Sequence, residues 1–539
     1  MPNSTSFLLA PFLGFFTLAN AHYPSGNLTD PSGSCLSLST VSLPNTTINF
    51  VNYLPAGTNI TFSQDYDLAS CGYVSQVISV DLCRVAMEVK TSESSAITLE
   101  AWLPGEEWTG RFLSTGNGGV SGCIQYNDMA YTSGLGFATV GANNGHNGTR
   151  GLAFANNSDV VHDFASRSMH TGVVIGKQIT EKYYGSAHKK SYYLGCSTGG
   201  RQGFKAVQSY PEDFDGVVAG APALNFPNLS SWSALFYTLF GNSTDASFIT
   251  VAQWSALVHQ EVLNQCDGID GVLDGIIEDP ELCRFRPEAL LCAPGTAANS
   301  TTCLRKEQVE AVRKVFTDYY GVDGNLIYPR MQPGSEVAAS RAYYTAGPFP
   351  YSTDWYRYVV YNDSNWDPAR YTIDDAKVAN DQNPFDIATW HGDISAFQKC
   401  GGKLLHYHGQ MDAIITSENS PVYYNLVSRT MGLKSSQLDE FYRFFRVSGM
   451  GHCAGGDGAF MIGNRLESVT STDPQDNVLM RMVDWVENGN APETITGIKY
   501  VNNDKAQGID IVRNHCKYPK RNICVDPANY KNPEAWKCV

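Results

Sequence analysis

Ser191-Tyr192-Tyr193-Leu194-Gly195-Cys196-Ser197-Thr198-Gly199-Gly200 joins a β-prone run to a G-x-S-x-G turn. A helix-forming segment follows, from about Arg201 to Gln208. Strand, sharp turn and helix in that order are the setting of a nucleophile elbow. The turn is tight, and side chains at positions 195 or 199 would crowd it. Ser197 then stands at the strand tip with its hydroxyl exposed. The free N–H groups and positive end of the next helix lie close to any oxyanion formed there. A serine in a glycine-rich loop can also do no more than cap a helix. The strand before it and the helix after it favour the nucleophile.

Outward from the elbow the chain alternates between strand and helix patterns. Ile97 to Leu103 and Gly110 to Ser114 read as strands, and the second runs into Thr115-Gly116-Asn117-Gly118-Gly119. Phe137 to Val140 is a third, helical periodicity covers about Ser166 to Tyr184, and Gly216 to Ala219 is a further strand. This rhythm predicts an α/β fold: a parallel sheet with helices on both faces. Residues from about 22 to 94 read instead as a loop-rich strap carrying Cys35, Cys71 and Cys83. After Pro222 the rhythm breaks into a block rich in aromatics, cysteines and turn residues, and it resumes at Gly402-Lys403-Leu404-Leu405-His406-Tyr407-His408. We therefore expect a discontinuous catalytic domain, 22–223 with 391–539, and an inserted lid at 224–390. The aromatics of the lid fit either an ordinary core or the lining of a substrate site.

The remaining catalytic parts fall where an elbow hydrolase needs them. Asp412 follows the strand Leu404 to His408, the position of an acid that holds the histidine tautomer. His452 lies in Gly449-Met450-Gly451-His452-Cys453, after the strand Phe444 to Val447. His406 and His408, on the strand, read as interior residues. Chain order Ser197, Asp412, His452 is that of the elbow hydrolases. Thr198, next to the nucleophile, and Gly118 or Gly119, after an early strand, are the candidate oxyanion donors. If Ser197 and His452 touch, their neighbours Cys196 and Cys453 come within disulfide range. Such a bridge would clamp nucleophile and base together.

Composition bounds the rest. The 539 residues carry a net charge of −15, which argues against nucleic acid or an anionic membrane surface as partner. Phe7 to Ala19 is an apolar run of signal-peptide length, and Ala19-Asn20-Ala21 fits a cleavage site, so 1–21 reads as a secretory signal. The run is too short to span a membrane. Cysteines number 14, an even count in keeping with disulfides in an oxidising compartment. N-x-S/T sequons stand at Asn27, Asn45, Asn59, Asn147, Asn156, Asn228, Asn242, Asn299 and Asn362, as in a secreted, glycosylated protein. In Cys266 to Asp279, Asp267, Asp270 and Asp274 could offer carboxylates to Ca²⁺, and Val272 and Ile276 could offer carbonyls. The spacing is not that of an EF-hand, and bare Asp/Gly loops are commonly solvated turns.

Cys196-Ser197, Asp412 and His452-Cys453 together resemble the CS-D-HC arrangement of the tannase and feruloyl esterase family, in particular its fungal feruloyl esterase B branch. The similarity extends over most of the mature chain, lid and tail included. It implies an α/β-hydrolase core, a large lid and a disulfide between the two catalytic loops. It implies a serine esterase that releases hydroxycinnamic or gallic acids through an acyl-enzyme, with feruloyl and p-coumaroyl esters of plant cell-wall polysaccharide as substrates. It also implies a structural Ca²⁺ in the lid loop and no organic cofactor. The disulfides it implies are Cys266–Cys283, Cys35–Cys83, Cys71–Cys123, Cys292–Cys303 and Cys516–Cys538, leaving Cys400 and Cys524 over. Feruloyl esterases and tannases share these motifs, so a tannin acyl hydrolase is the alternative. A hydrolase fold reused as a secreted binding protein is a third reading, which the intact elbow, acid and base disfavour.

Overall fold

The computed structural model describes residues 28–63, 68–295 and 301–539. The expected signal segment 1–21 and the sequons at Asn27 and Asn299 lie outside the described residues.

The core is a nine-stranded sheet. In chain order its strands are β1 (Thr46–Leu54), β2 (Leu82–Lys90), β3 (Ala96–Pro104), β4 (Arg111–Thr115), β5 (Phe137–Ala142), β6 (Lys190–Cys196), β7 (Gly216–Gly220), β8 (Lys403–Gly409) and β9 (Tyr442–Val447). Their spatial order is β1-β2-β3-β5-β4-β6-β7-β8-β9. From β5 to β9 all neighbours are parallel. β4 through β9 are almost wholly buried, as strands covered on both faces must be.

Two expectations are corrected here. The sheet is mixed, because β1, β2 and β3 run antiparallel to their neighbours. Residues 46–54 and 82–90 are also full strands of that sheet and not a loop-rich strap. β1 is an edge strand with no buried residue, so it lacks the apolar run that marks a central strand. β2 escaped notice because Arg84 and Glu88 interrupt its apolar residues. Arg84 is in fact buried and forms a two-pronged ion pair with Glu100 on β3, at 2.8 and 2.6 Å. Tyr126 Oη and Trp102 Nε1 donate to the same carboxylate, each at 2.8 Å, so the buried charge is well satisfied.

Helix α1 (Ser168–Tyr184) packs on the β5 side of the sheet. Helix α2 (Thr198–Ser209) begins immediately after Ser197, a few residues earlier than the sequence pattern suggests, since glycines 199, 200 and 203 mask its helical character. Between β7 and β8 no segment among the described residues joins the large sheet. That stretch folds around its own cluster, in which Trp232, Phe236, Phe240, Trp254, Tyr343 and Tyr344 interlock through ring contacts of 4.7–5.8 Å. Most of its aromatics are therefore core.

The disulfides are Cys35–Cys83, Cys71–Cys123, Cys196–Cys453, Cys266–Cys283, Cys292–Cys303 and Cys516–Cys538. Cys400 is free and exposed, and Cys524 is free and buried. Asn45, Asn59, Asn147, Asn156, Asn242 and Asn362 are exposed. Asn228 is a correction: it is 8% exposed within the helix Phe226–Phe240, where the fold has no room for a glycan.

The end of β4 and the elbow approach too closely for side chains. A Cβ on Gly116 would lie 2.5 Å from Gly199 Cα and from Tyr193 Oη. Gly116→Ala is expected to lower stability by about 1–3 kcal/mol, read as a reduced urea midpoint at unchanged slope. A loss within about 0.5 kcal/mol, the range of neutral surface changes, would show that the two loops can move apart.

Candidate active site

Ser197 sits at the C-terminal end of β6 with φ 65° and ψ −123°, a conformation that non-glycine residues rarely adopt. Surrounding bonds hold it there. Its N–H donates to Gly220 O at 3.0 Å, and its carbonyl accepts from Arg201 N at 3.0 Å and Ala223 N at 3.1 Å. Tyr193 Oη donates to Gly199 O at 2.7 Å. Strain of this kind costs about 1–3 kcal/mol and persists only when neighbours enforce it.

Asp412 lies in the turn after β8 and is fully buried. Its Oδ1 accepts the amides of Ile414 and Ile415 at 2.8 and 2.9 Å. Its Oδ2 accepts His452 Nδ1–H at 2.7 Å and a bond from His408 Nε2 at 3.2 Å. Burial alone would push this carboxyl up. The positive charge His452 bears when protonated and the bonds from His408 and His452 outweigh it and hold the group well below the usual carboxylate range. Asp412 is thus an ionised acceptor that fixes the Nδ1–H tautomer of His452 and leaves Nε2 free.

The loop carrying His452 is held from two sides. Asn464 Nδ2 donates to Cys453 O at 2.9 Å. The Cys196–Cys453 bridge, spanning 257 positions with a Cα–Cα distance of 6.0 Å, ties it to the elbow. Cys453 has φ 63°, so positive φ is held by a non-glycine residue at one end of the bridge and, in Ser197, beside the other.

The loop after β4 closes over the elbow. Thr198 Oγ1 donates to Gly119 O at 2.6 Å, and Gly199 N donates to Asn117 O at 2.8 Å. Gln202 on α2 accepts from Asn117 N and donates to Asn117 Oδ1, both at 2.9 Å. Among the described residues the amides of Thr198, Gly118 and Gly119 have no protein acceptor, as an oxyanion site requires. Gly119 has φ +57°, and a Cβ there would meet the Tyr351 ring at 2.6 Å.

Ser197, Thr198, Gly118, Gly119 and His452 all line one cavity of about 740 Å³. Phe226, Leu229, Tyr343, Phe349 and Tyr351 supply its lid wall, and Asn127, Asp128, Arg150 and Arg465 its polar side. Burial pushes the Asp128 carboxyl up to about 7, against the pull of Arg465. The volume and mixed lining suit a ligand the size of an aromatic ester.

Sequence reasoning missed His408, Gln202, Asn464 and Gln332. Gln332, from the lid, donates its side-chain N–H to the carbonyl of Asp412 and accepts from Ser417 N at 3.1 Å. A period-2 reading of β8 could have flagged His408, which points to the same face as His406 and stands four residues before Asp412. Gln202, Gln332 and Asn464 carry no sequence signal, because tertiary folding alone brings them in.

The lid loop can be tested for Ca²⁺ from its own atoms. Asp270 and Asp274 each use Oδ1 to accept a nearby amide, from Val272 and Ile276, both at 3.0 Å. The Oδ2 atom of each is buried without a hydrogen-bond partner, that of Asp274 lying 3.7 Å from Arg513 Nη2. Asp267 accepts Gly275 N at 3.0 Å. Among the described residues no three His, Cys, Asp or Glu side chains stand at metal-ligating spacing. A cation would therefore need backbone carbonyls as well. Orphaned, buried carboxylate oxygens in an oxygen-rich loop are what a hard cation satisfies, so the residues fit Ca²⁺.

The model of the family "Tannase and feruloyl esterase" matches residues 83–539. The chain is 57% identical over 499 residues to a probable feruloyl esterase B-2 of Neosartorya fischeri, covering 93% of this chain and 94% of that one. It is similar to the crystal structure of feruloyl esterase B from Aspergillus oryzae, with a TM-score of 0.90 and 52% identity, covering 94% of this chain and all of that one. The tannin acyl hydrolase from Aspergillus niger shares the fold at a TM-score of 0.73 and 21% identity, with 94% of each chain covered.

Replacing Cys196 and Cys453 together by serine is expected to cost about 2–5 kcal/mol of stability and to lower turnover of an ester substrate by more than the fraction of protein unfolded. Urea unfolding and initial rates on the same samples check both. Unchanged specific activity of the folded fraction would mean that the other bonds suffice to hold the site.

Proposed function

The chain belongs to the tannase and feruloyl esterase family, and on that premise we propose that it is a serine carboxylesterase hydrolysing feruloyl and p-coumaroyl esters of plant cell-wall polysaccharide. One observation carries the mechanism: a strained serine, a histidine held by a buried carboxylate and unpaired backbone amides line the same cavity.

In this reading Ser197 Oγ attacks the ester carbonyl while His452 Nε2 takes its proton. Asp412 keeps the ring in the productive tautomer and stabilises the imidazolium. The amide of Thr198, with Gly118 or Gly119, receives the charge that develops on the carbonyl oxygen. His452 then protonates the departing sugar alcohol, leaving the acyl group on Ser197. Water attacks the acyl-enzyme with His452 again as base, and the aromatic acid leaves. The apolar lid wall suits the cinnamoyl ring, and the polar side offers groups to its hydroxyl or to the sugar.

Export belongs to the same reading. The disulfides suit an oxidising compartment. No helix among the described residues is long and apolar enough to cross a membrane. A structural Ca²⁺ belongs to it too, held by Asp267, Asp270 and Asp274 with the carbonyls of Val272 and Ile276. Bound there it would supply charge balance and rigidity to the lid loop, away from the reacting atoms.

Initial rates on methyl ferulate, methyl p-coumarate, methyl caffeate and methyl gallate test the substrate class. Strong turnover of the cinnamates with little of the gallate is expected, and the reverse would make the protein a tannase. Ser197→Ala and Asp412→Asn should each lower kcat by roughly 10⁴-fold or more. Turnover that survives Ser197→Ala would overturn the serine mechanism.

For the cation, chelation with EGTA should lower the Tm, added Ca²⁺ should restore it, and Asp274→Asn should abolish the response. A saturating ligand at about a hundred times its Kd is worth about 2.7 kcal/mol, a shift well within detection. A Tm indifferent to both chelator and Ca²⁺ removes the calcium from the reading.

A further inference from the structure

His406 and His408 are both fully buried on β8, and the reaction described above uses neither. Ser420, in the helix Asn419–Met431, stands between them. Its Oγ lies 2.9 Å from His406 Nε2 and 2.7 Å from His408 Nδ1. His406 Nδ1 is 3.0 Å from Tyr442 Oη on β9. His408 Nε2 is 3.2 Å from Asp412 Oδ2 and 3.1 Å from the carbonyl oxygen of Ile415. The contacts run without a break from Tyr442 to the carboxylate that holds His452.

With His408 as a neutral ring, the chemistry of the end groups fixes the direction of every bond. An ionised carboxylate and a backbone carbonyl can only accept, so His408 Nε2 carries the proton. In the neutral ring Nδ1 must then accept, and the donor is the single hydroxyl proton of Ser420. Having used that proton, Ser420 can only accept from His406, which places a proton on His406 Nε2. His406 Nδ1 then accepts from the Tyr442 phenol. Burial keeps His406 neutral by pushing it well below its usual range, and it keeps Tyr442 protonated by pushing it well above. All donors therefore point one way, toward Asp412, and bonds in such a chain polarise one another.

We propose that Tyr442, His406, Ser420 and His408 form a positioning relay that delivers one polarised hydrogen bond to Asp412 Oδ2 and so tempers the pull of that carboxylate on His452. The proposal rests on the Ser197–His452–Asp412 reading and adds to it. His408 and His452 share one oxygen, so each bond lowers the charge available to the other. Without His408 the charge concentrates on His452. The imidazolium is then favoured, and the base stays protonated, hence idle, to a higher pH. Other groups face the pair. Burial, with the Asp412 charge beside it, keeps Tyr328 and Tyr343 of the lid protonated, and Gln332 is neutral. Asp128, Arg150 and Arg465 line the same cavity as His452. Changes at His408 leave all of these in place.

Two measurements test the relay. Nitrogen NMR of histidine-labelled protein should show His406 and His408 as neutral rings protonated on Nε2. A proton on Nδ1 of either ring overturns the proposal. This spectrum is also recorded on the Ser197→Ala protein, where no turnover is needed, so failure of the esterase reading and failure of the relay are separate outcomes. In kinetics, His408→Phe should move the acid limb of kcat/KM upward by about one pH unit, a tenfold change in the base equilibrium. His408→Gln, whose amide restores a donor to Asp412, should recover most of the shift, and Ser420→Ala should give a smaller shift in the same direction. A His408→Phe enzyme with lowered kcat but an unmoved acid limb would show that the ring only fills space, and the relay would fall.

Discussion

The Cys196–Cys453 bridge is the constraint on which the site depends. The sheet brings the ends of β6 and β9 to one edge of the molecule, but β7 and β8 lie between them. Two loops must therefore reach across those strands to meet. A covalent link between the residue before the nucleophile and the residue after the base fixes that meeting at a Cα separation of 6.0 Å. It also bears on the strain. Ser197 and Cys453 both hold positive φ, each costing about 1–3 kcal/mol. A bond that removes freedom from the unfolded chain offsets such costs without adding bulk to the cleft.

A second constraint is the burial of a carboxylate. Isolating Asp412 from water would protonate it, and a protonated acid cannot hold the imidazolium. The fold meets this by directing donors onto both oxygens, two from the backbone of the following turn and one from each of two histidines. The turn is itself held by the lid, through Gln332 to the carbonyl of Asp412 and Tyr343 Oη to the carbonyl of Ile414 at 2.5 Å. The acid thus belongs structurally to both parts of the molecule, although it lies in the core segment of the chain.

What was legible in the sequence follows from how local each determinant is. The elbow is visible because strand, turn and helix are contiguous, and Gly195 and Gly199 leave few other uses for the pattern. Buried central strands such as β6 and β8 announce themselves as short apolar runs. β1 and β2 do not. β1 presents a half-exposed edge, and β2 carries Arg84, whose partner Glu100 lies on another strand. A charge reads as surface until its partner is known. Asn228 misled for the same reason, since a sequon is a three-residue pattern and its burial is decided by the lid around it. His408 was legible as an interior residue but not as a donor, because its three contacts come from a turn and a helix that the strand pattern does not describe.

The lid shows how far such reading can reach. Its aromatic content marks it as a packed unit, and most of those rings do pack on one another. The few that face the cavity, Phe226, Tyr343, Phe349 and Tyr351, are set apart by position and not by type. Gly119 illustrates the coupling. Its positive φ and the Tyr351 ring at 2.6 Å from a would-be Cβ mean that the oxyanion loop and the lid wall are fitted to each other. Substrate preference then cannot reside in the catalytic loops alone. A change in the lid that shifts Tyr351 also alters the space above the oxyanion amides, so the shape of the lid wall and the geometry of the oxyanion loop are linked through one contact.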